Sequence, residues 1–149
     1  MRARTRRGMT IVEVLVAALV LGIVAAGALA SWSLASQAAA NKRTIEIGTA
    51  IAVHELERLK AMGYPYLPAS PVQSGQPVPT VRWYDKYGQW LGASATTGDF
   101  KVKSYVSILI DRDGEANSED LKEIVVEVWN GDETRLLERA RTLLTFGGV

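Results

Sequence analysis

An α+β fold, with one long N-terminal helix packed on a small antiparallel β-sheet, is predicted by three features of this 149-residue sequence. Up to residue 62 it has helix-forming composition and no proline. All five prolines then fall within residues 64–79, and beyond them apolar and polar residues alternate in short runs. A helical period that gives way to a period of two, with a turn-rich segment between, implies a helix followed by strands rather than alternating βα units.

The first segment is basic. Arg2, Arg4, Arg6 and Arg7 precede Gly8 without a single acid, and Met9-Thr10-Ile11-Val12-Glu13 follows. Residues 14–30 carry no charge at all. A bilayer core needs about 20 apolar residues in a helix, and the stretch reaches that length near Trp32. Arginines on one side of such a span predict a cytoplasmic N-terminus and an exported C-terminal part. A cleaved secretory signal would place its cut after the apolar run, around residues 28–30. A plain signal anchor accounts for the arginines and the apolar run but leaves Glu13 unexplained. A carboxylate within a membrane span costs several kcal/mol unless it is neutralised or paired, so it calls for a partner.

Residues 31–62 continue as helix. Ile45, Ala52, Leu56 and Leu59 recur at spacings that share one face, while Lys42, Glu46, Glu57 and Lys60 take the others. A single helix over residues 9–62, at about 1.5 Å per residue, is roughly 80 Å long. Gly63-Tyr64-Pro65 supplies the stop. Residues 63–80 then read as a proline-rich loop, ordered where Tyr64, Tyr66 and Leu67 pack.

Residues 81–149 read as the sheet. A hairpin is expected where residues 81–84 and 89–91 flank Asp85-Lys86-Tyr87-Gly88. Residues 100–110 alternate, with Val102, Val106, Ile108 and Ile110 opposite Lys101 and Lys103. Residues 121–129 alternate again, with Ile124, Val126 and Val128 opposite Glu123 and Glu127. Asn130-Gly131 is a hairpin signal, and a last strand is expected within residues 134–146. Such a sheet needs a cover for its apolar face, which the amphipathic part of the helix supplies.

Several chemistries are excluded or weakly signalled. The chain has no cysteine, which removes thiolate catalysis, disulfides and cysteine-ligated metals. No nucleophile–base–orienter set is visible, so an enzyme is not expected, and neither is a cofactor. Without the leader, 13 basic side chains face 16 acidic ones, a sum of −3 that does not support nucleic acid as a partner. His54 stands alone and reads as a surface residue. Asp111, Asp113 and Glu115 lie in an acidic, turn-rich segment that is a weak calcium candidate. Their spacing is not that of an EF-hand, and a solvated turn is the simpler reading. Trp32 fits an interfacial belt, Trp83 and Trp90 are expected to pack across strands, and Arg135, Arg139 and Arg141 form a weak basic patch among acids.

The run GMTIVEVLVA behind a basic leader resembles the processing and assembly signature of type IV prepilins and of the pseudopilins of type II secretion. The resemblance implies that a prepilin peptidase cuts between Gly8 and Met9 and methylates the new amino terminus of Met9. It also implies that Glu13, fifth in the mature chain, meets the N-terminal amine of a neighbouring subunit during filament assembly. Its partners would be other pilins or pseudopilins, the peptidase/methyltransferase, an inner-membrane assembly platform, and membrane lipid before assembly. Family members often have phenylalanine where this chain has Met9. Major pilins often have proline where it has Ala30, a departure more typical of minor subunits. The HELERLKAMGY stretch and the paired strands around LKEIVVEVWNG are similar in style to minor pilins of the PilV type and to I-type minor pseudopilins.

Overall fold

The computed structural model describes residues 10–110 and 121–145. One helix, α1 (Ile11–Ala61), is followed by a 3-10 turn at Tyr64–Tyr66 and six strands. These are β1 (Val72–Gln73), β2 (Gln76–Pro77), β3 (Thr80–Tyr84), β4 (Phe100–Ile110), β5 (Leu121–Asn130) and β6 (Leu136–Thr145). β1 and β2 form a small hairpin, and β3-β4-β5-β6 form an antiparallel sheet in that order. The α+β arrangement expected from the sequence is the one observed. The chain divides into two compact units, one up to Lys42 and one from Arg43 onward.

In the first unit every residue from 10 to 42 is exposed, including Leu15, Leu19, Ile23, Leu29 and Trp32. Ser31 and Ser36 turn their hydroxyls back onto the carbonyls of Gly27 and Ser33, satisfying those polar groups within the helix.

The second unit holds the core. Ile51, Ala52 and Leu59 of α1 join Tyr64, Leu67, Tyr84, Phe100, Val102, Val106, Ile124, Val126, Val128 and Leu144. The inward residues of β4 and β5 are those the alternation selects, down to Val106; Ile108 emerges at 37% exposure. The buried stripe of the helix is Gly48, Ile51, Ala52, Glu55 and Leu59. Ile45, expected on that face, is instead exposed. Gly48 lies against Leu137, where an added Cβ would fall 3.3 Å from the leucine Cβ, so a small residue suits this contact. Lys42, Glu46, Glu57 and Lys60 are exposed as expected.

Two buried charges fasten this unit. Glu55 is fully buried on the apolar stripe. It accepts from Arg58 Nε at 2.8 Å, from Arg82 Nη1 at 2.5 Å and from the Tyr84 hydroxyl, and so ties α1 to β3. Burial alone would push its carboxyl up, but the hydrogen bonds from Arg58 and Tyr84 and the two guanidinium charges outweigh that and hold it below the usual range. Burial and the Glu55 carboxylate push the Tyr84 phenol up. Arg82 also stacks on Trp90, 4.0 Å from the ring centroid, a contact across the hairpin. Lys122 shares the inward face of β5 with Ile124 and Val126. Its Nζ donates to the carbonyls of Tyr64 at 2.8 Å and Leu67 at 2.7 Å. Burial pushes its ammonium down. These bonds satisfy carbonyls just beyond the helix end, where backbone groups otherwise lack partners.

The turns differ in part from expectation. Gly63, at φ 75° and ψ 158°, follows the helix end in a positive-φ conformation open to glycine. The proline-rich segment holds the β1–β2 hairpin, turned by Ser74 and Gly75 at positive φ, and Tyr66 is exposed rather than packed. The hairpin after β3 forms as expected, with Leu91 N–H donating to the Trp83 carbonyl at 3.0 Å. The Asn130-Gly131 signal marks a longer loop than a two-residue turn. Asn130 N–H bonds the Arg135 carbonyl, and Glu133 takes the positive φ. Gly131 is needed for close approach: a Cβ there would collide with the Gly98 carbonyl.

Candidate functional site

The start of α1 is built from its own sequence. Thr10 caps the helix. Glu13 N–H donates to the Thr10 carbonyl at 3.0 Å and lies 3.3 Å from Thr10 Oγ1. Thr10-Ile11-Val12-Glu13 thus follows the Ser/Thr-x-x-Glu pattern of a capping box, and Glu13 occupies the first turn, where the helix dipole favours an anion. This capping signal was readable in the sequence, yet the expected helix began at Met9; the observed one begins two residues later, at Ile11.

From Glu13 the helix runs through residues 14–30 without another charge. Its apolar side chains are exposed all round: Ile11 81%, Leu21 69% and Leu29 72%. A surface helix of a water-soluble domain confines its apolar residues to one stripe; one that is apolar on every side is made to be covered. It is long and apolar enough to cross a membrane. Among the described residues nothing pairs with the Glu13 carboxylate. Gly22 and Gly27 meet nothing within 4 Å that a Cβ would touch, so the chain's own packing gives no reason for either. Each costs the helix about 1 kcal/mol relative to alanine.

Residues 3–29 match the model of the prokaryotic N-terminal methylation motif. The chain carries a prepilin-type N-terminus. The motif supports the class of type IV pilin-like or pseudopilin precursors. The apolar helix fits a membrane-anchored pilin. No curated protein and no solved structure matches the chain.

Of the residues singled out in this prepilin sequence, Glu13 lies within the described part. Arg2, Arg4, Arg6, Arg7, Gly8 and Met9 lie outside it, as do Asp111, Asp113 and Glu115. His54 is exposed. The basic residues of the outer sheet face are matched with acids: Lys101 and Lys103 meet Glu133, Arg139 meets Glu127, and Arg141 meets Glu123. Sequence reading passed over Glu55 and Lys122. Both stand at the spacing of buried neighbours, Glu55 four residues from Ile51 and from Leu59, and Lys122 two from Ile124. A charge in register with an apolar stripe was the available signal.

Proposed function

We propose that this chain is a minor type IV pilin, a structural subunit that enters or tips a filament serving motility, adhesion or DNA uptake. The observation that carries the reading is Glu13 itself: a carboxylate without a partner among the described residues, at the head of a helix segment exposed and apolar on every side. In this reading residues 1–8 are a leader, held on the cytoplasmic side by Arg2, Arg4, Arg6 and Arg7. Prepilin peptidase cuts between Gly8 and Met9, and the Met9 amine is methylated. Residues 9–32 anchor the chain in the inner membrane and later join the filament, and residues 33–62 continue the helix. Residues 63–80 connect it to the exported head at 81–149.

Glu13 then meets the N-terminal amine of a neighbour. Pairing offsets the desolvation of both charges, so the cost of one buried carboxylate becomes a preference for a single docking register. Gly22 and Gly27 fit the same picture, because small residues let helix backbones approach closely. The lack of proline at Ala30 and the small four-stranded sheet support a minor subunit over a major one. A minor pseudopilin of type II secretion shares every one of these features. A deletion that abolishes secretion while pili persist would select it.

Two experiments test the reading. Mass spectrometry of the membrane-extracted protein should find a mature chain starting at methylated Met9; an intact Met1, or a cut near Ala30, would overturn it. The second separates docking from capping. Glu13→Gln keeps the capping pattern and removes the charge, so it should be processed normally yet enter filaments poorly. Wild-type incorporation of Glu13→Gln would reduce Glu13 to a helix cap.

A further inference from the structure

The two edges of the four-stranded sheet are finished differently. β3 is five residues long, follows Pro79, and has part of its outer side taken by Trp90 and Leu91. Short length, proline and covering chain are ways in which proteins blunt an edge. β6, at the other end, is ten residues long and contains no proline. A register shift lies near Leu136, but pairing with β5 is unbroken over residues 138–145. Among the described residues no strand lies on its outer side. In an antiparallel ladder every second residue of such a run turns its N–H and C=O away from the neighbour. This is a regular template for one more strand.

The charges on the outer face say what kind of strand fits. Register aligns Lys103, Glu127 and Arg139 in one row across β4, β5 and β6. The signs run plus, minus, plus, and a carboxylate in the next position continues the alternation. Arg139 Nε lies 3.5 Å from Glu127, and Arg141 is paired with Glu123. Both arginine side chains nevertheless remain 63% exposed, so their outer sides are open to an anion. A second copy of β6 is disfavoured in the parallel in-register arrangement and in two antiparallel ones that bring arginines together. An in-register parallel copy sets each arginine beside itself. Antiparallel copies centred on Ala140 or Arg141 oppose Arg139 to Arg141, or Arg141 to itself. Like charges directly opposite are destabilising.

We infer that the free edge of β6 is a strand-addition site for an extended acidic segment of a partner protein. Main-chain hydrogen bonds along residues 138–145 give the affinity, and carboxylates beside Arg139 and Arg141 give the selectivity. The inference rests on the sheet edge and is independent of the filament reading, which rests on α1.

The test uses the full chain in detergent micelles and a fluorescein-labelled eight-residue peptide of alternating valine and glutamate. It should bind, and it should slow amide hydrogen exchange at alternate residues of 138–145. A valine–lysine peptide should bind about tenfold more weakly, because two cross-strand charge pairs turn repulsive. N-methylation of alternate amides along one edge of the glutamate peptide should abolish binding. Arg139→Gln with Arg141→Gln should erase the preference for glutamate while leaving the thermal transition near that of the parent. Absence of binding, equal binding of both peptides, binding that survives amide methylation, or exchange protection outside β6 would each overturn the inference.

Discussion

Glu55, near the C-terminal end of α1, is fully buried and holds Arg58, Arg82 and Tyr84. Glu13, in the first turn of the same helix, lies in an exposed stretch, and none of the described residues faces its carboxylate. The neighbouring apolar side chains divide in the same way. Ile51 and Leu59 are buried within the second unit, whereas Leu15 and Ile23 are about two-thirds exposed in the first. One helix therefore follows two solvent rules. Where the chain supplies counter-charges and apolar cover, the element is completed internally. Where the described residues supply neither, the helix stays open on every side.

The contrast can be broken most sharply at the two glutamates. Glu55→Ala leaves two arginines and a phenol around an uncompensated site, and removing one partner of a buried ionic group costs about 3–5 kcal/mol. Thermal unfolding of the detergent-solubilised chain, followed by tryptophan fluorescence, should show that loss. Glu13→Ala should leave the same transition unmoved. A large shift for Glu13→Ala, or none for Glu55→Ala, would erase the distinction.

Acid sharpens it. The Glu55 carboxyl lies below its ordinary value of 4.5 in the folded chain. Its stabilising contribution is therefore complete above that value and is lost as pH falls through the lower folded one. The parent should lose stability below pH 4.5 more steeply than Glu55→Gln, as read from thermal midpoints across the acid range. Equal slopes would assign the acid sensitivity to other carboxylates.

Smaller effects test how completely the second unit is finished. Lys122→Met keeps the apolar stem and removes the ammonium that donates to the Tyr64 and Leu67 carbonyls, at a cost of about 1–3 kcal/mol in chemical denaturation. Ser104 is the counter-case. Its hydroxyl is buried and has no hydrogen-bond partner among the described residues. Ser104→Ala should be neutral or stabilising by up to about 1 kcal/mol. A clear loss would show that the hydroxyl is satisfied.

The helix, β4, β5 and the apolar leader region were legible because each repeats a simple period over many residues. The exceptions come from interactions between segments distant in sequence. Ile45 matched the helical period of the core, but the packing surface begins at Ile47 and Gly48, where Leu137 approaches. Asn130-Gly131 carries the composition of a tight hairpin. Contact with Gly98, some thirty residues earlier, sets the glycine, and Glu133 makes the bend. Glu55 was hidden because a helix wheel shows which face a carboxylate occupies and not that Arg82 and Tyr84 will come from a strand to meet it. Thr10-x-x-Glu13 was local and legible throughout, with Thr10 capping the helix and Glu13 in its first turn.

The two hydrogen bonds from Lys122 also set an order of events. A chain is made from its N-terminus, so residues 48–67 emerge with their apolar stripe and the carbonyls of Tyr64 and Leu67 open to solvent. β3 and β4 cover part of the stripe, but the bonds from Lys122 wait for β5, more than fifty residues later. The helix end is thus finished by a strand from late in the chain, and a ribosome paused before residue 121 would leave it without its Lys122 clasp.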